Sequence, residues 1–288
     1  MNHRQVRQSP FFLALQVTEG LSQSDTKVGM ACGIPENLVL QEYASQIQNR
    51  TWIEFDEDTQ KVLKKDCRSL NISGVGTLPL ENERTSPASA SESEAYLPQI
   101  ALKAKDLIVK KNEELQRWLE RFDVYAKYFP ENSVLPENFW QDVFTEASFG
   151  ETSLTALFSK DLIYFIESKL SKNVISHFHR SAPEHFTVPT GNRIRVNYSG
   201  AHPTLEVRLQ EIFGWLATPP IMDGKALLTL TLLGPNFRPV QVTQDLASFW
   251  DHGYNEVKKE LKSRYPKHSW PENPRSAIPQ ARGRPRPT

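Results

Sequence analysis

The feature that most restricts the fold of this chain is a change in its hydrophobic pattern around residues 82–95. Before this stretch, apolar residues come in short runs of strand length, and after it they recur at helical spacing. The stretch itself is polar, and Pro87 is surrounded by Ser86, Ser89, Ser91 and Ser93. Because 288 residues suffice for two domains of ordinary size, we predict a Ser-rich linker over residues 82–95 with a domain on each side.

Residues 1–81 have the pattern of a small β domain. The runs that favour strands are short, rich in β-formers or alternating, and bounded by Gly, Asp or Pro; they cover residues 11–17, 27–32, 51–55, 61–67 and 69–75. One helix is predicted between the second and third run, over residues 36–47, because it begins after Pro35 and carries apolar residues at helical spacing. This content is typical of a small barrel or half-barrel with one helix.

The rest of the chain is predicted to begin with helices and to continue with strands. Residues 96–185 form a helical segment, because their apolar residues recur with helical periodicity. Two hairpin signals follow, one centred on Gly191 and one over residues 234–238. We therefore predict an α+β fold class, in which the helical segment precedes a C-terminal α+β domain over residues 186–272. That domain is a small antiparallel sheet packed with a C-terminal helix.

The predicted C-terminal helix is amphipathic. Its apolar residues fall within about 140° of arc at 100° per residue, and they are Leu246, Phe249, Trp250, Tyr254, Val257 and Leu261. Lys258, Lys259 and Lys262 are predicted on the opposite face of the same helical wheel. The apolar face is expected to pack against the domain, and the lysine face is expected to meet solvent or a ligand.

Cations and aromatic rings alternate after this helix, at Arg264, Tyr265, Lys267 and Trp270, and a basic Pro-rich tail follows over residues 273–288. Cations neutralise phosphates and aromatic rings stack on bases, so this pattern favours single-stranded nucleic acid. The candidate binding residues are Lys258, Lys259, Lys262, Arg264, Tyr265, Lys267, Trp270, Arg282, Arg284 and Arg286. Four more arginines could hold phosphates: Arg193, Arg195, Arg208 and Arg238.

The charge distribution agrees with a local polyanion site but allows a simpler interpretation. The chain has 34 basic and 34 acidic residues, yet residues 257–288 hold nine Lys or Arg against Glu260 and Glu272, a net charge of +7. The alternative is a tail that only keeps the protein in solution. Tyr265 and Trp270 could equally dock on their own domain.

The sequence has no visible catalytic, cofactor or metal site. Gly224-Lys225 is followed by Ala226 and lacks the upstream glycine of a phosphate-binding loop, and Asp56-Glu57-Asp58-Thr59 is better explained as a hairpin turn. Cys32 and Cys67 lack the spacing of a zinc site, and structural or surface roles are predicted for His177, His179 and His185. No run approaches the ~20 apolar residues that a membrane helix needs, so we expect a cytoplasmic protein.

Several short segments of this sequence, in the same order, resemble the C-terminal region of HrpB-type bacterial DExH-box ATP-dependent RNA helicases. They include Arg208-Leu209-Gln210-Glu211-Ile212-Phe213-Gly214, Thr218-Pro219, Arg238-Pro239-Val240-Gln241-Val242-Thr243, Phe249-Trp250, Lys258-Lys259-Glu260-Leu261 and Arg264-Tyr265-Pro266-Lys267-His268. The resemblance implies an OB-like domain over residues 1–81 and a C-terminal extension after it. In the family this region follows the two RecA-like motor domains, so the resemblance also implies that these 288 residues lack the ATPase motifs.

Two function hypotheses follow. The first is an accessory C-terminal module of an HrpB-type helicase, which is no enzyme on its own and binds single-stranded RNA or a separately encoded motor chain. The second is a protein-interaction or scaffold module with no nucleic-acid role. Salt separates them, because binding to phosphates weakens steeply as salt rises and apolar docking does not.

Overall fold

The computed structural model describes residues 11–18, 27–73, 76–80 and 82–281. The chain divides into two compact units: Met1–Tyr96 with Gly150–Ser153, and Leu97–Phe149 with Leu154–Thr288. The predicted α+β class is confirmed, since strands dominate the first unit and helices followed by small sheets make up the second.

The first unit contains two antiparallel sheets. Strands β1 (Phe11–Thr18) and β2 (Lys27–Ile34) pair with each other, and helix α1 (Glu36–Glu42) follows Pro35. In the second sheet, β4 (Lys61–Ile72) pairs with β3 (Ile47–Asp56), β5 (Gly76–Pro79) and β6 (Arg84–Pro87). Val62 and Leu70 are its most buried side chains. The OB-like barrel remains a prediction, since the described strands pair in two separate sheets.

Strand β4 is continuous where the sequence predicted two strands. Arg68 interrupts the apolar pattern, but its backbone pairs with Asn49 in an unbroken register with β3. The predicted helix over residues 36–47 is shorter than expected for a related reason. It ends at Glu42, and a 3₁₀ turn at Ala44–Gln46 leads into β3, which begins at Ile47. Backbone pairing across the sheet overrides the local pattern at both places.

The stretch predicted as a linker contains regular structure. Strand β6 pairs with residues 63–66 of β4, and helix α2 (Ala90–Glu94) follows it. The serine composition has a local use here, because Ser89 caps α2 and forms a capping box with Glu92. Glu92 also forms an ion pair with Lys64, at 2.7 Å. This segment is therefore paired to strand β4 and is not a free linker. The domain boundaries given by the sequence remain a prediction.

The second unit begins with seven helices among the described residues: α3 (Leu97–Lys103), α4 (Lys105–Lys111), α5 (Glu113–Tyr128), α6 (Phe139–Ala147), α7 (Leu154–Phe158), α8 (Leu162–Ser168) and α9 (Lys172–Ser181). Side-chain caps fix three of their starts, since Asn112, Asp161 and Ser171 accept hydrogen bonds from backbone amides in the first turn of α5, α8 and α9. Their apolar faces meet in a core that includes Leu97, Ile108, Leu115, Phe144 and Phe178, all fully buried.

Small sheets follow the helices. The hairpin predicted around Gly191 is formed by β7 (His185–Thr187) and β8 (Arg193–Arg195), and β10 (Pro220–Ile221) pairs with β11 (Ala226–Leu227). A three-stranded sheet in the same unit has the order β13 (Pro239–Thr243), β12 (Thr229–Leu233), β9 (Thr204–Arg208).

This three-stranded sheet is mixed, which corrects the prediction of an antiparallel sheet. Strands β12 and β13 are antiparallel, as their hairpin signal predicts, but β9 and β12 are parallel. A parallel pair needs a long crossover rather than a tight turn, and residues 209–228 supply it. The hydrophobic pattern does not report strand direction, so the sequence did not reveal this pairing.

Candidate functional site

The predicted binding surface is built on the C-terminal helix. Helix α10 (Leu246–Ser248) begins where Asp245 accepts a hydrogen bond from the Ser248 amide, at 2.9 Å. A π-helical turn, Phe249–Gly253, connects it to α11 (Tyr254–Arg264). Gly253 allows the turn to close, because a Cβ at this position would lie 2.8 Å from Cδ2 of Phe249.

The aromatic face of this helix anchors it to the unit. Trp250 is only 4% exposed, and its Nε1 donates to the backbone oxygen of Trp215 at 2.8 Å. Tyr254 is buried as well and donates its hydroxyl to the oxygen of Pro271 at 2.9 Å. The prediction that these rings pack in the core is confirmed. Both polar ends find backbone acceptors, as buried Trp and Tyr usually do.

Lys258 does not lie opposite the apolar face, so this part of the prediction was wrong. It is buried, and its Nζ lies 2.6 Å from Oε1 of Glu272. The pKa of the Glu272 carboxyl is lowered, and the hydrogen bond from Lys258 is the largest cause. Lys258 follows Tyr254 by four residues and precedes Leu261 by three, so these three buried residues share the inward face of α11. The lysine lies at the edge of the apolar stripe and not opposite it.

The other predicted cations of this segment are exposed. Lys259 and Lys262 lie on α11, and Lys267 follows it. None of the three forms an ion pair within the described part of the chain. Arg264 is exposed too, with Nη1 at 3.4 Å from Oε1 of Glu260. We call Lys259, Lys262, Arg264 and Lys267 the helix cations.

The two aromatic candidates belong to the fold of the unit. Trp270 is 8% exposed and donates Nε1 to the backbone oxygen of Tyr265 at 2.9 Å. Tyr265 is half-buried, and its ring meets that of His268 at a centroid distance of 6.0 Å. The contacts therefore place Trp270 on its own unit. Arg282, Arg284 and Arg286 lie outside the described residues.

The first part of the predicted basic tail is attached to the unit. The amide of Gly214 donates to the oxygen of Pro274 at 3.0 Å, and that of Gln280 donates to the oxygen of Gln210 at 2.8 Å. Arg275 forms an ion pair with Asp251 at 2.6 Å and donates to the oxygen of Ala247 at 2.9 Å. Arg275 thus attaches this part of the chain to the C-terminal helix.

The histidines take part in hydrogen-bonded chains inside the second unit. His179 Nε2 lies 3.1 Å from Glu167, and its Nδ1 lies 2.7 Å from the guanidinium of Arg121. Arg121 is buried, and its guanidinium carbon lies 4.2 Å from the centre of the Phe178 ring. Burial lowers the pKa of this guanidinium. Over the described ranges, His, Cys, Asp and Glu form no group of three that could hold a metal ion.

His177 joins a second chain beside the first. Its Nε2 lies 2.8 Å from Oδ2 of Asp223, and its Nδ1 lies 2.7 Å from the hydroxyl of Tyr125. Ser181 donates to the other oxygen of Asp223 at 2.8 Å. That hydrogen bond is the main reason that the pKa of Asp223 is lowered. The chain ties α9 to α5 and to the turn at Met222–Gly224, which accounts for His177 structurally.

Sequence reasoning missed one exposed aromatic residue. Phe237 was assigned only to a hairpin turn, yet 67% of it is exposed. Its φ is +61°, a left-handed value that bulky residues rarely adopt. The guanidinium carbon of Arg208 lies 5.5 Å from the centre of its ring. An aromatic residue in a turn position suited to Gly or Asn was the signal that could have indicated it.

The comparisons with known proteins match this part of the chain. The family described as ATP-dependent helicase C-terminal, HrpB_C, matches residues 139–274, which include the helix cations and strands β9, β12 and β13. The chain corresponds to the C-terminal region of HrpB-type ATP-dependent helicases. It is 31% identical over 287 residues to the ATP-dependent RNA helicase HrpB of Escherichia coli (strain K12), covering 94% of this chain and 34% of that protein.

A solved structure gives the same result. The crystal structure of the E. coli DExH-box NTPase HrpB superposes with a TM-score of 0.62 at 28% identity, covering 95% of this chain and 34% of that one. The chain therefore spans about a third of the length of the HrpB proteins that it matches. No described helix is both long and apolar enough to cross a bilayer.

Proposed function

We propose that this chain acts as an accessory C-terminal module of an HrpB-type helicase and binds single-stranded RNA through the helix cations. The observation that carries the proposal is the exposure of Lys259, Lys262 and Lys267 without ion pairs in the described structure. The E. coli relative is named an ATP-dependent RNA helicase, which supports RNA as the polyanion. A cytoplasmic location is part of the proposal.

The anchoring of the helix supports a binding role for its exposed face. Trp250 in the π turn and Tyr254 and Lys258 in α11 anchor the C-terminal helix. Three of the helix cations therefore lie on a fixed helix and not on a free tail, and Lys267 follows close behind. The phosphate backbone of an RNA strand along the helix would exchange its counterions for these side chains. This exchange gives affinity without base specificity. No phosphate-binding loop occurs in the 288 residues, so the proposal assigns ATP-driven work to a motor region elsewhere in the polypeptide or in a separate chain.

The decisive experiment compares two charge-matched triple variants. In the first, Lys259, Lys262 and Lys267 become Ala; in the second, the exposed Lys103, Lys110 and Lys111 of α3 and α4 become Ala. Fluorescence anisotropy of a short single-stranded RNA at several salt concentrations measures the affinity and its salt dependence. We expect the first variant to bind more weakly, with a slope shallower by about 0.7 for each phosphate that is no longer neutralised, and the control to match the wild type.

Two results would contradict the proposal. Equal losses in both triple variants would show that the effect is only that of net charge. Absence of binding below about 100 μM at low salt, where even non-specific contacts register, would favour the protein-interaction module instead.

A further inference from the structure

The hairpin between β12 and β13 holds an aromatic ring outward in a fixed position. The amide of Gly234 donates to the oxygen of Arg238 at 2.9 Å, and the amide of Phe237 donates to the oxygen of Gly234 at 3.0 Å. The Asn236 side chain accepts from the Arg238 amide at 3.3 Å. Three hydrogen bonds within five residues define this tip, so the exposed ring of Phe237 does not belong to a loose loop.

The backbone of Phe237 indicates that exposure is retained at a cost. A φ of +61° is strained for a bulky side chain, and Gly or Asn would adopt it more readily. An exposed ring makes little packing contribution that could compensate. Strain of this kind concentrates at ligand-binding positions, where the surrounding structure holds it.

The ring borders a cleft of about 550 Å³ that also carries arginines. Arg193 and Arg208 line the cleft together with Phe237. Glu211 lines it as well, but it already accepts from Arg208 at 2.8 Å and from Asn192 at 2.9 Å. With Glu206, the cleft is lined by two glutamates and two arginines, so its net charge is close to zero and it suits a base better than a bare phosphate. Arg193 is exposed at its edge.

The C-terminal segment ends its described course at the same cleft. Ala281 lines it, and its backbone oxygen accepts a hydrogen bond from Arg208. The next residues in the sequence include Arg282, Arg284 and Arg286. In the sequence, three cations therefore follow a residue that lines the cleft.

We infer that Phe237 and the cleft beside it form a base-stacking site for single-stranded nucleic acid, with Arg193 contacting a neighbouring phosphate. This inference rests on the proposed function and adds a contact region that the helix cations do not include. An unpaired base lies against the face of Phe237, while Arg208 keeps its place at the ring through Glu211 and Ala281. Stacking accepts any base, so the site adds affinity with little sequence preference.

The test uses an oligoribonucleotide that contains 2-aminopurine, whose fluorescence falls when the base stacks. Quenching on binding to the wild type is expected to disappear in Phe237→Ala, and affinity is expected to fall about tenfold with an unchanged salt slope. Phe237→Trp should retain quenching and Phe237→Leu should not, because a ring is needed rather than apolar area. Phe149→Ala is the matched control, since Phe149 is 73% exposed elsewhere in the same unit.

Arg193→Ala should give the opposite signature, a weaker affinity together with a shallower salt slope. If wild-type protein binds RNA but Phe237→Ala matches it in affinity and quenching, the proposed stacking site is wrong. RNA binding by the helix cations is not contradicted by that result. If Phe237→Ala loses quenching while the variant of Lys259, Lys262 and Lys267 binds normally, the stacking site is supported and the proposal of RNA binding by the helix cations is wrong.

Discussion

Lys258 is buried but its ion-pair partner Glu272 is exposed, and this difference decides how much the ion pair contributes to stability. The Nζ lies against Glu272, but the side chain of Glu272 is 91% exposed and can be hydrated without it. Removing the charge therefore leaves no stranded buried carboxylate, and the packed methylene stem is what the fold would lose.

We expect Lys258→Ala to lower the free energy of unfolding by about 1 kcal/mol and Lys258→Met to lower it by less, because methionine keeps most of the stem. Urea unfolding measures both. Neither change should alter the salt slope of RNA binding, whereas Lys259→Ala should alter the slope and leave stability unchanged. A shallower slope in Lys258→Met would show that this lysine reaches phosphate after all.

Individual residues could be predicted from the sequence where local pattern and packing agree. Trp250 and Tyr254 lie on an apolar stripe at helical spacing, so their buried positions were predictable. Phe237 was not, because its exposure depends on a left-handed backbone conformation, which changes where a side chain points without changing composition or periodicity. Lys258 was assigned to the wrong face because its charge outweighed its spacing of one helical turn from Tyr254.

The C-terminal helix is the element on which the proposed function depends, and its π turn is tightly packed. Glycine in a helix usually lowers stability, so replacing it with alanine commonly adds up to about 1 kcal/mol. Gly253 should behave in the opposite way, because a Cβ would lie 2.8 Å from the Phe249 ring.

We predict that Gly253→Ala lowers the free energy of unfolding by about 1 to 3 kcal/mol, the usual cost of overpacking. Asn255→Ala, at an exposed position of α11, should raise it by a few tenths of a kcal/mol. Chemical denaturation of the two variants beside the wild type provides the measurement. Equal gains in both would mean that the π turn can relax into an ordinary helix.

The aromatic anchor of the same element is expected to dominate its stability. Trp250→Ala should cost about 3 to 5 kcal/mol, because the ring is buried and its Nε1 satisfies the oxygen of Trp215. Tyr164→Ala removes an aromatic ring that is 66% exposed and should change stability by less than about 0.5 kcal/mol. Thermal unfolding compares the two, and an unchanged midpoint for Trp250→Ala would show that the ring is exposed and does not anchor the helix.

Elements were predictable wherever one segment determines its own structure. The hairpins of β7 with β8 and of β12 with β13 follow from turn signals, and the helices of the second unit follow from periodicity. The parallel pairing of β9 with β12 and the attachment of β6 to β4 depend on partners distant in sequence. No local pattern specifies such partners.

For the whole molecule, we predict that the purified 288-residue chain neither binds nor hydrolyses ATP above background, with or without RNA. The sequence offers no loop of backbone amides with a lysine to hold the β and γ phosphates. Phosphate release across the fractions of a size-exclusion column provides the measurement, since a contaminating ATPase elutes apart from the chain. RNA-stimulated turnover that co-elutes with it would contradict the accessory role.

The chain passes between its two units three times, after Tyr96, after Phe149 and after Ser153. The short visit at Gly150–Ser153 gives the first unit part of its sheet, because the amide of Val62 donates to the oxygen of Thr152 at 2.9 Å and Lys61 bridges to Ser153. A protease that cuts only after Tyr96 would thus yield two fragments still held by β pairing, and they should migrate together until denaturant separates them. A gene fragment that stops at this cut would encode a first unit in which the start of β4 lacks its pairing with Thr152 and Ser153.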